Sequence, residues 1–227
     1  MKGRSMHLIS RRECAFLALV FLYSFLPAVI GLLRIPELVG GAAIIPPNPR
    51  AVIDPLPIAL HILASSIFCL AGAVQLLPSL RQARPALHRM LGRVVAAAGC
   101  LSALTGLWMT VSYAFPESLQ GPLLYGVRVT FSLAMIAFIF WAIVAIRARM
   151  PAAHRAAVLR AYAIGQGAST QTALFLIAMA LTKTEPFGFA RDLLMVGAWV
   201  INLAVAELLI RGIRAMPGRP AAISGGS

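Results

Sequence analysis

Few residues in this 227-residue chain can do chemistry: four histidines, three cysteines, and twenty lysines and arginines against seven acids. Two of the histidines arrive in matching surroundings. The run Arg81-Gln82-Ala83-Arg84-Pro85-Ala86-Leu87-His88-Arg89 is echoed by Arg147-Ala148-Arg149-Met150-Pro151-Ala152-Ala153-His154-Arg155, and the same offset carries Gly99 onto Gly165. Neutral imidazoles held at one depth on two helices can serve as axial ligands of haem iron. His88 and His154 are therefore candidate ligands of one haem b, with Gly99 and Gly165 leaving clearance for a flat cofactor. A second reading of the glycines needs no cofactor, because small residues on one stripe let membrane helices approach closely. Arg89, Arg93, Arg155 and Arg160 could clamp anionic headgroups through charge-assisted hydrogen bonds. His61 and Arg128 fall toward the opposite side, where they could line an outer pocket for an anionic headgroup or a quinone carbonyl.

Other catalytic signatures are missing. There is no serine nucleophile motif and no phosphate loop, and Gly165-Gln166-Gly167 reads as two glycines in a helix, not a nucleotide fingerprint. Cys14, Cys69 and Cys100 lie in apolar runs without CxxC spacing and read as small core residues. His7 belongs to a basic leader and reads as solvated.

The elements that must position these residues are membrane spans. Hydrophobic residues make up 60% of the chain and charged ones only 12%, whereas soluble domains are about one quarter charged. Mean hydropathy is +0.86. Six apolar blocks, Cys14–Leu33, Leu56–Leu77, Met90–Tyr113, Leu123–Ile146, Ala156–Leu181 and Leu193–Ile210, approach the roughly 20 residues that cross a bilayer as helix. Alternation is absent, and lipid-facing backbone must satisfy its own hydrogen bonds. The expected fold is an all-α bundle of six transmembrane helices over 14–210, with a basic segment before it (1–13) and a basic, irregular tail after it (211–227).

The net charge of +13 suggests nucleic acid only until the arginines are placed. Lys2, Arg4, Arg11 and Arg12, the two His-Arg turns with Arg93 and Arg160, and Arg211, Arg214 and Arg219 all fall on alternate connections. The other side holds Arg34, Arg50, Arg128, Lys183 and Arg191 with most of the acids. The positive-inside rule then puts both termini in the cytoplasm of a bacterial inner membrane. The basic face would meet anionic lipid, and DNA binding is excluded. The first block is too long for a signal peptide and reads as a retained span. Pro85 and Pro151 should pre-set the first turns of their helices. The echoed turns predict a repeat pairing the second and third helices with the fourth and fifth. Glu207 should pair with Arg211 one turn on. Trp108, Tyr113, Tyr125 and Trp141 read as interface anchors.

The run His61-(x13)-Gln75-(x12)-His88-Arg89-x-x-Gly92-Arg93, with the second pair His154-Arg155, resembles the predicted bacterial membrane-protein family called domain of unknown function 2306. That resemblance implies a multi-helix membrane protein and no particular activity. A more distant similarity runs to b-type cytochromes and ferric-reductase-like membrane domains, which place histidines on paired helices. His61 lacks a histidine partner, so at most one haem fits. The expectations are thus a haem protein for electron transfer; a transporter or lipid- or quinone-binding protein without redox chemistry; or a structural subunit, with a homo-oligomer or a membrane complex as partner.

Overall fold

The computed structural model describes residues 9–215 and contains helix and no strand among them. His7 and the end of the tail lie outside the described residues. The chain runs through α1 (Arg11–Leu33), α2 (Ile35–Leu38), α3 (Pro49–Ile53), α4 (Pro55–Gln75), α5 (Pro78–Ala83), α6 (Pro85–Ser112), α7 (Pro122–Arg147), α8 (Pro151–Gly165), α9 (Gly167–Thr182) and α10 (Gly188–Ala215). Five helices or helix runs are long and apolar enough to cross a membrane, and α8 with α9 forms a sixth candidate span bent by 41°. Each expected apolar block overlaps one candidate span, although Leu56–Leu77 and Met90–Tyr113 run two residues and one residue past the ends of α4 and α6. At the two ends of the bundle the boundaries move outward: α1 begins at Arg11, not Cys14, and α10 continues past Ile210 to Ala215.

Local chemistry explains where the helices start. Ser10 caps α1 in a reciprocal box, its Oγ accepting from Glu13 N while Ser10 N donates to the Glu13 carboxylate, an arrangement that satisfies two otherwise unpaired amides. Glu13 Oε1 also accepts from Ser79 N at 2.8 Å, tying α1 to the start of α5. Proline opens α4, α5, α6, α7 and α8, where its missing N–H has no partner to lose. The two echoed turns are built differently: the first contains the short helix α5, the second is tight and passes through positive φ at Arg149.

Burial is inverted relative to a water-soluble protein. Leu22 on α1 is 74% exposed and Leu208 on α10 67%, whereas Ser24 and Asp192 are each 2% exposed. Apolar side chains gain nothing by hiding from lipid, while unpaired polar groups are costly there, so polar contacts and small residues collect between helices. Phe68, Val95, Met135, Ile139 and Ile164 form the centre of the packed core. Helix α4 lies against α6, α7 against α6 and α8, α10 against α8 and α9, and α1 against α4 and α9. Helices α6 and α8 meet little directly, because α4 and α7 stand between them.

Candidate functional site

Three α4 side chains spaced by seven residues face three α6 glycines with the same spacing. A Cβ on Gly106 would stand 3.3 Å from His61 Cε1, one on Gly99 2.6 Å from Phe68 Cε2, and one on Gly92 2.7 Å from Gln75 Nε2. A seven-residue repeat keeps one seam in register between close-packed helices, and glycine lets the backbones approach. This ladder places His61, Phe68 and Gln75 at three successive depths.

At the upper rung, His61 Nδ1 lies 2.9 Å from Ser102 O and 3.2 Å from Thr105 Oγ1. A carbonyl only accepts, so Nδ1 carries the proton and Nε2 keeps a free lone pair. No described residue bonds Nε2. His61 and Arg128 both line a cavity of about 340 Å³ to which all six spans contribute. That volume lies at the low end for small-molecule sites. Its wall is largely apolar, with Phe131, Met135, Ile164 and Trp199 among the lining residues, and it also carries the hydroxyls of Ser66 and Ser132. Arg128 donates to Gln120 Oε1 and contacts Met195 Sδ at 3.9 Å. Its guanidinium lies 5.3 Å from the Phe115 ring centre, and it forms no ion pair among the described residues.

The break between α8 and α9 borders the same cavity through Ile164, Gly165, Ala168 and Ser169. Gly165-Gln166-Gly167 therefore interrupts the expected fifth helix instead of lying inside it. Gln166 N still bonds Tyr162 O at 3.0 Å, but the next three carbonyls lose their helical partners. Each finds a side chain: Asn202 Nδ2 donates to Ala163 O at 3.1 Å, Trp199 Nε1 to Ile164 O at 3.1 Å, and Cys69 Sγ to Gly165 O at 3.5 Å. Broken backbone is tolerated at membrane depth only where such partners exist or a cavity is lined. Gln166 holds the break together, accepting from Ser24 and Ser169 and donating to Tyr162 OH, which donates to Cys69 O. A Cβ on Gly167 would stand 2.1 Å from Trp199 Nε1, so glycine alone fits.

At the lower rung, Gln75 Nε2 donates toward His88 Nε2 at 3.4 Å. Gln75 Oε1, His88 Nδ1 and Ser79 Oγ are buried without partners. His154 Nδ1 donates to Ala142 O at 2.8 Å. The two imidazoles are near enough for charge on one to be felt by the other. The clearance expected at Gly99 and Gly165 is occupied by one ring: Cβ atoms there would meet opposite edges of Phe68, at 2.6 and 2.4 Å. In this packing no slot for a macrocycle lies beside the two glycines. Of the basic residues expected to clamp headgroups, Arg89, Arg93 and Arg155 are exposed. Arg160 is instead held in two hydrogen bonds to Glu207, at 2.5 and 3.0 Å.

Sequence reasoning found His61, Arg128, His88 and His154 because ionisable residues in spans stand out. It missed Phe68, whose type carries no signal, although its heptad spacing between His61 and Gln75 was readable. It also missed Asp192, which accepts from Gly121 N and Leu124 N at 3.2 Å each and so caps α7 from another helix.

Compared with known proteins, residues 58–210 match the family model described as predicted membrane protein (DUF2306). No curated protein and no solved structure matches the chain, so the distant likeness to b-type cytochromes gains no support from them.

Proposed function

The chain belongs to this family of predicted membrane proteins, and on that premise we propose that it is a carrier for a small amphipathic molecule bound inside the bilayer. The observation that carries the reading is the placement of His61 and Arg128 on the wall of one cavity, where, among the described residues, His61 Nε2 has no hydrogen-bond partner and Arg128 no ion pair. Ionisable groups within spans are expensive and default to functional roles. A ligand with an apolar body and a hydrogen-bonding head would cover the apolar wall and engage both groups. The break at Gln166 supports transport over static binding, because discontinuous helices border the substrate sites of many carriers.

The reading includes an orientation. The excess of basic residues on alternate connections supports both termini in the cytoplasm of a bacterial inner membrane. The Arg128 end of the cavity then faces outward, and exposed Arg89, Arg93 and Arg155 meet anionic inner-leaflet lipid. Haem ligation by His88 and His154 is the less favoured reading, since Gln75 approaches His88 Nε2 and Phe68 fills the space between the glycines.

Trp199 lines the cavity, so its emission reports occupancy. In nanodiscs, with Trp108 and Trp141 replaced by Phe, 10-bromodecanol should quench Trp199 saturably and be displaced by unlabelled decanol. Filling the cavity by Ala168→Phe should abolish the saturable part. Quenching that only tracks bilayer partition, identical in the filled variant, would refute the reading.

A further inference from the structure

Cations at the His61 end of the bundle run against the positive-inside tendency, so each asks for a local cause. Arg34 has one in Glu37, at 2.6 Å. Arg191 has one in Glu185, at 3.3 Å. Arg50 and Arg128 have no carboxylate partner among the described residues. Both instead lie over one aromatic ring, Phe115, at 5.0 and 5.3 Å from its centre. The charge of Arg191 is felt by Arg128, and that of Arg50 by Arg191, so three guanidiniums share one region. Phe115 and Arg128 line the cavity, so this region borders it, with Arg50 and Arg191 set behind the lining.

The acids nearby offset it only in part: Glu185 pairs with Arg191, and the charge of Asp192 is felt by Arg128 and Arg191, but neither acid pairs with Arg50 or Arg128. Glu37 is taken by Arg34 and by Asn48 N, and Asp192 by the amides that open α7. Asp54 and Glu117 make no ion pair with Arg50 or Arg128. The Nε atoms of Arg50 and Arg191 are buried and have no acceptor. Nε with one Nη forms the edge that takes a carboxylate or phosphate in two parallel hydrogen bonds. Both Nε donors lack an acceptor where three guanidiniums gather, so a further anionic group would suit the place. The exposed arginines at the opposite end carry no comparable signal, because lipid orientation alone accounts for them.

We propose that Arg50, Arg128 and Arg191 form a receptor for the anionic head, carboxylate or phosphate, of an amphiphile whose apolar part enters the cavity. This assignment rests on the carrier reading above and narrows its substrate class. Phe115 holds Arg50 and Arg128 in place, and His61 and the serine hydroxyls meet polar groups deeper along the ligand.

The test compares three brominated ten-carbon probes by Trp199 quenching: 10-bromodecanoate, 10-bromodecyl phosphate and 10-bromodecanol. Both anions should bind about tenfold or more tightly than the alcohol at low salt, the margin expected when charge-assisted bonds replace neutral ones. Arg50→Gln and Arg191→Gln should each reduce that margin several-fold and leave alcohol affinity unchanged. Arg50→Lys, which keeps the charge but loses the fork, should recover it only in part. Equal binding of alcohol and anions by the wild type overturns the anion receptor and leaves the cavity reading standing. A preference that survives both arginine replacements overturns it as well. Failure of every probe to quench saturably sinks the carrier reading itself. Inorganic phosphate alone, binding as tightly as the alkyl phosphate, overturns the assignment to an amphiphile in favour of a free anion.

Discussion

Replacing Gly165 or Gly99 by alanine should destabilise the protein through one aromatic ring. The Phe68 ring is held at both edges: a methyl on Gly165 would lie 2.4 Å from Cε1 and 2.7 Å from Cδ1, and one on Gly99 2.6 Å from Cε2 and 2.7 Å from Cδ2. Carbon pairs rest at about 3.5–4.0 Å, so either methyl demands a movement on the order of 1 Å. The ring cannot retreat from one glycine without striking the other, and Ile139 Cδ1, at 2.8 Å, closes a further route beside Gly99. Overpacking of this kind costs about 1–3 kcal/mol, or roughly 2–12 °C in Tm at about 2–4 °C per kcal/mol for a chain of this size. Unfolding can be followed by a thiol-reactive fluorophore. Cys69 and Cys100 are partly buried and become reactive on melting, and the exposed Cys14 is removed as Ser. Phe68→Leu should relieve the clash, so that Gly165→Ala costs clearly less in that background, with a coupling of about 0.5–3 kcal/mol. An unchanged Tm for both alanine variants, or the same loss with leucine at position 68, would refute the wedge. It would return the glycines to the role of clearance for a cofactor, where haem-free protein tolerates a methyl.

The remaining predictions concern the other structural claims. Asp192→Ala should lower Tm by the equivalent of about 2 kcal/mol or more, because two buried amides at the start of α7 lose their acceptor; Asp192→Asn, which keeps one acceptor, should cost less in the same melt. Trp199→Phe should cost about 1–3 kcal/mol by stranding Ile164 O at the break, and hydrogen exchange should rise first around Gln166. Protein expressed with ample haem should show no Soret band, and replacing His88 and His154 with Ala should leave its absorption spectrum unchanged. Glu207→Gln should shift Tm by less than the equivalent of about 1 kcal/mol, since its pair with Arg160 is partly solvated; a large loss would show that this pair carries more of the bundle than its exposure allows.

How much was legible in the residues differs from element to element. Hydropathy runs located the five helical candidate spans and the bent α8–α9 pair that makes a sixth candidate, because the thickness of hydrocarbon sets a length that composition alone can meet. Proline at positions 85 and 151 announced the starts of α6 and α8, a local effect that needs no partner. The small-residue stripe on α6 announced close packing without naming what it packs against. The fifth span was expected as one helix, and nothing in Gly165-Gln166-Gly167 distinguishes a tolerated pair of glycines from a break. What permits the break is the set of donors from Cys69, Trp199 and Asn202, on α4 and α10, which supply what three carbonyls would otherwise lack.

The amino-acid order by itself determined a helical membrane protein, the approximate extents of its spans and the short list of ionisable residues within them, because each depends on local composition, length or charge. Tertiary structure alone decided that Phe68 fills the gap between Gly99 and Gly165, that Glu207 reaches Arg160, and that His61 and Arg128 share a cavity bordered by a broken helix. The reason is physical. Hydrocarbon selects for a segment's own hydropathy whatever its neighbours, whereas a site is made by side chains from segments far apart in the chain, whose meeting depends on which helices pack together and in what register.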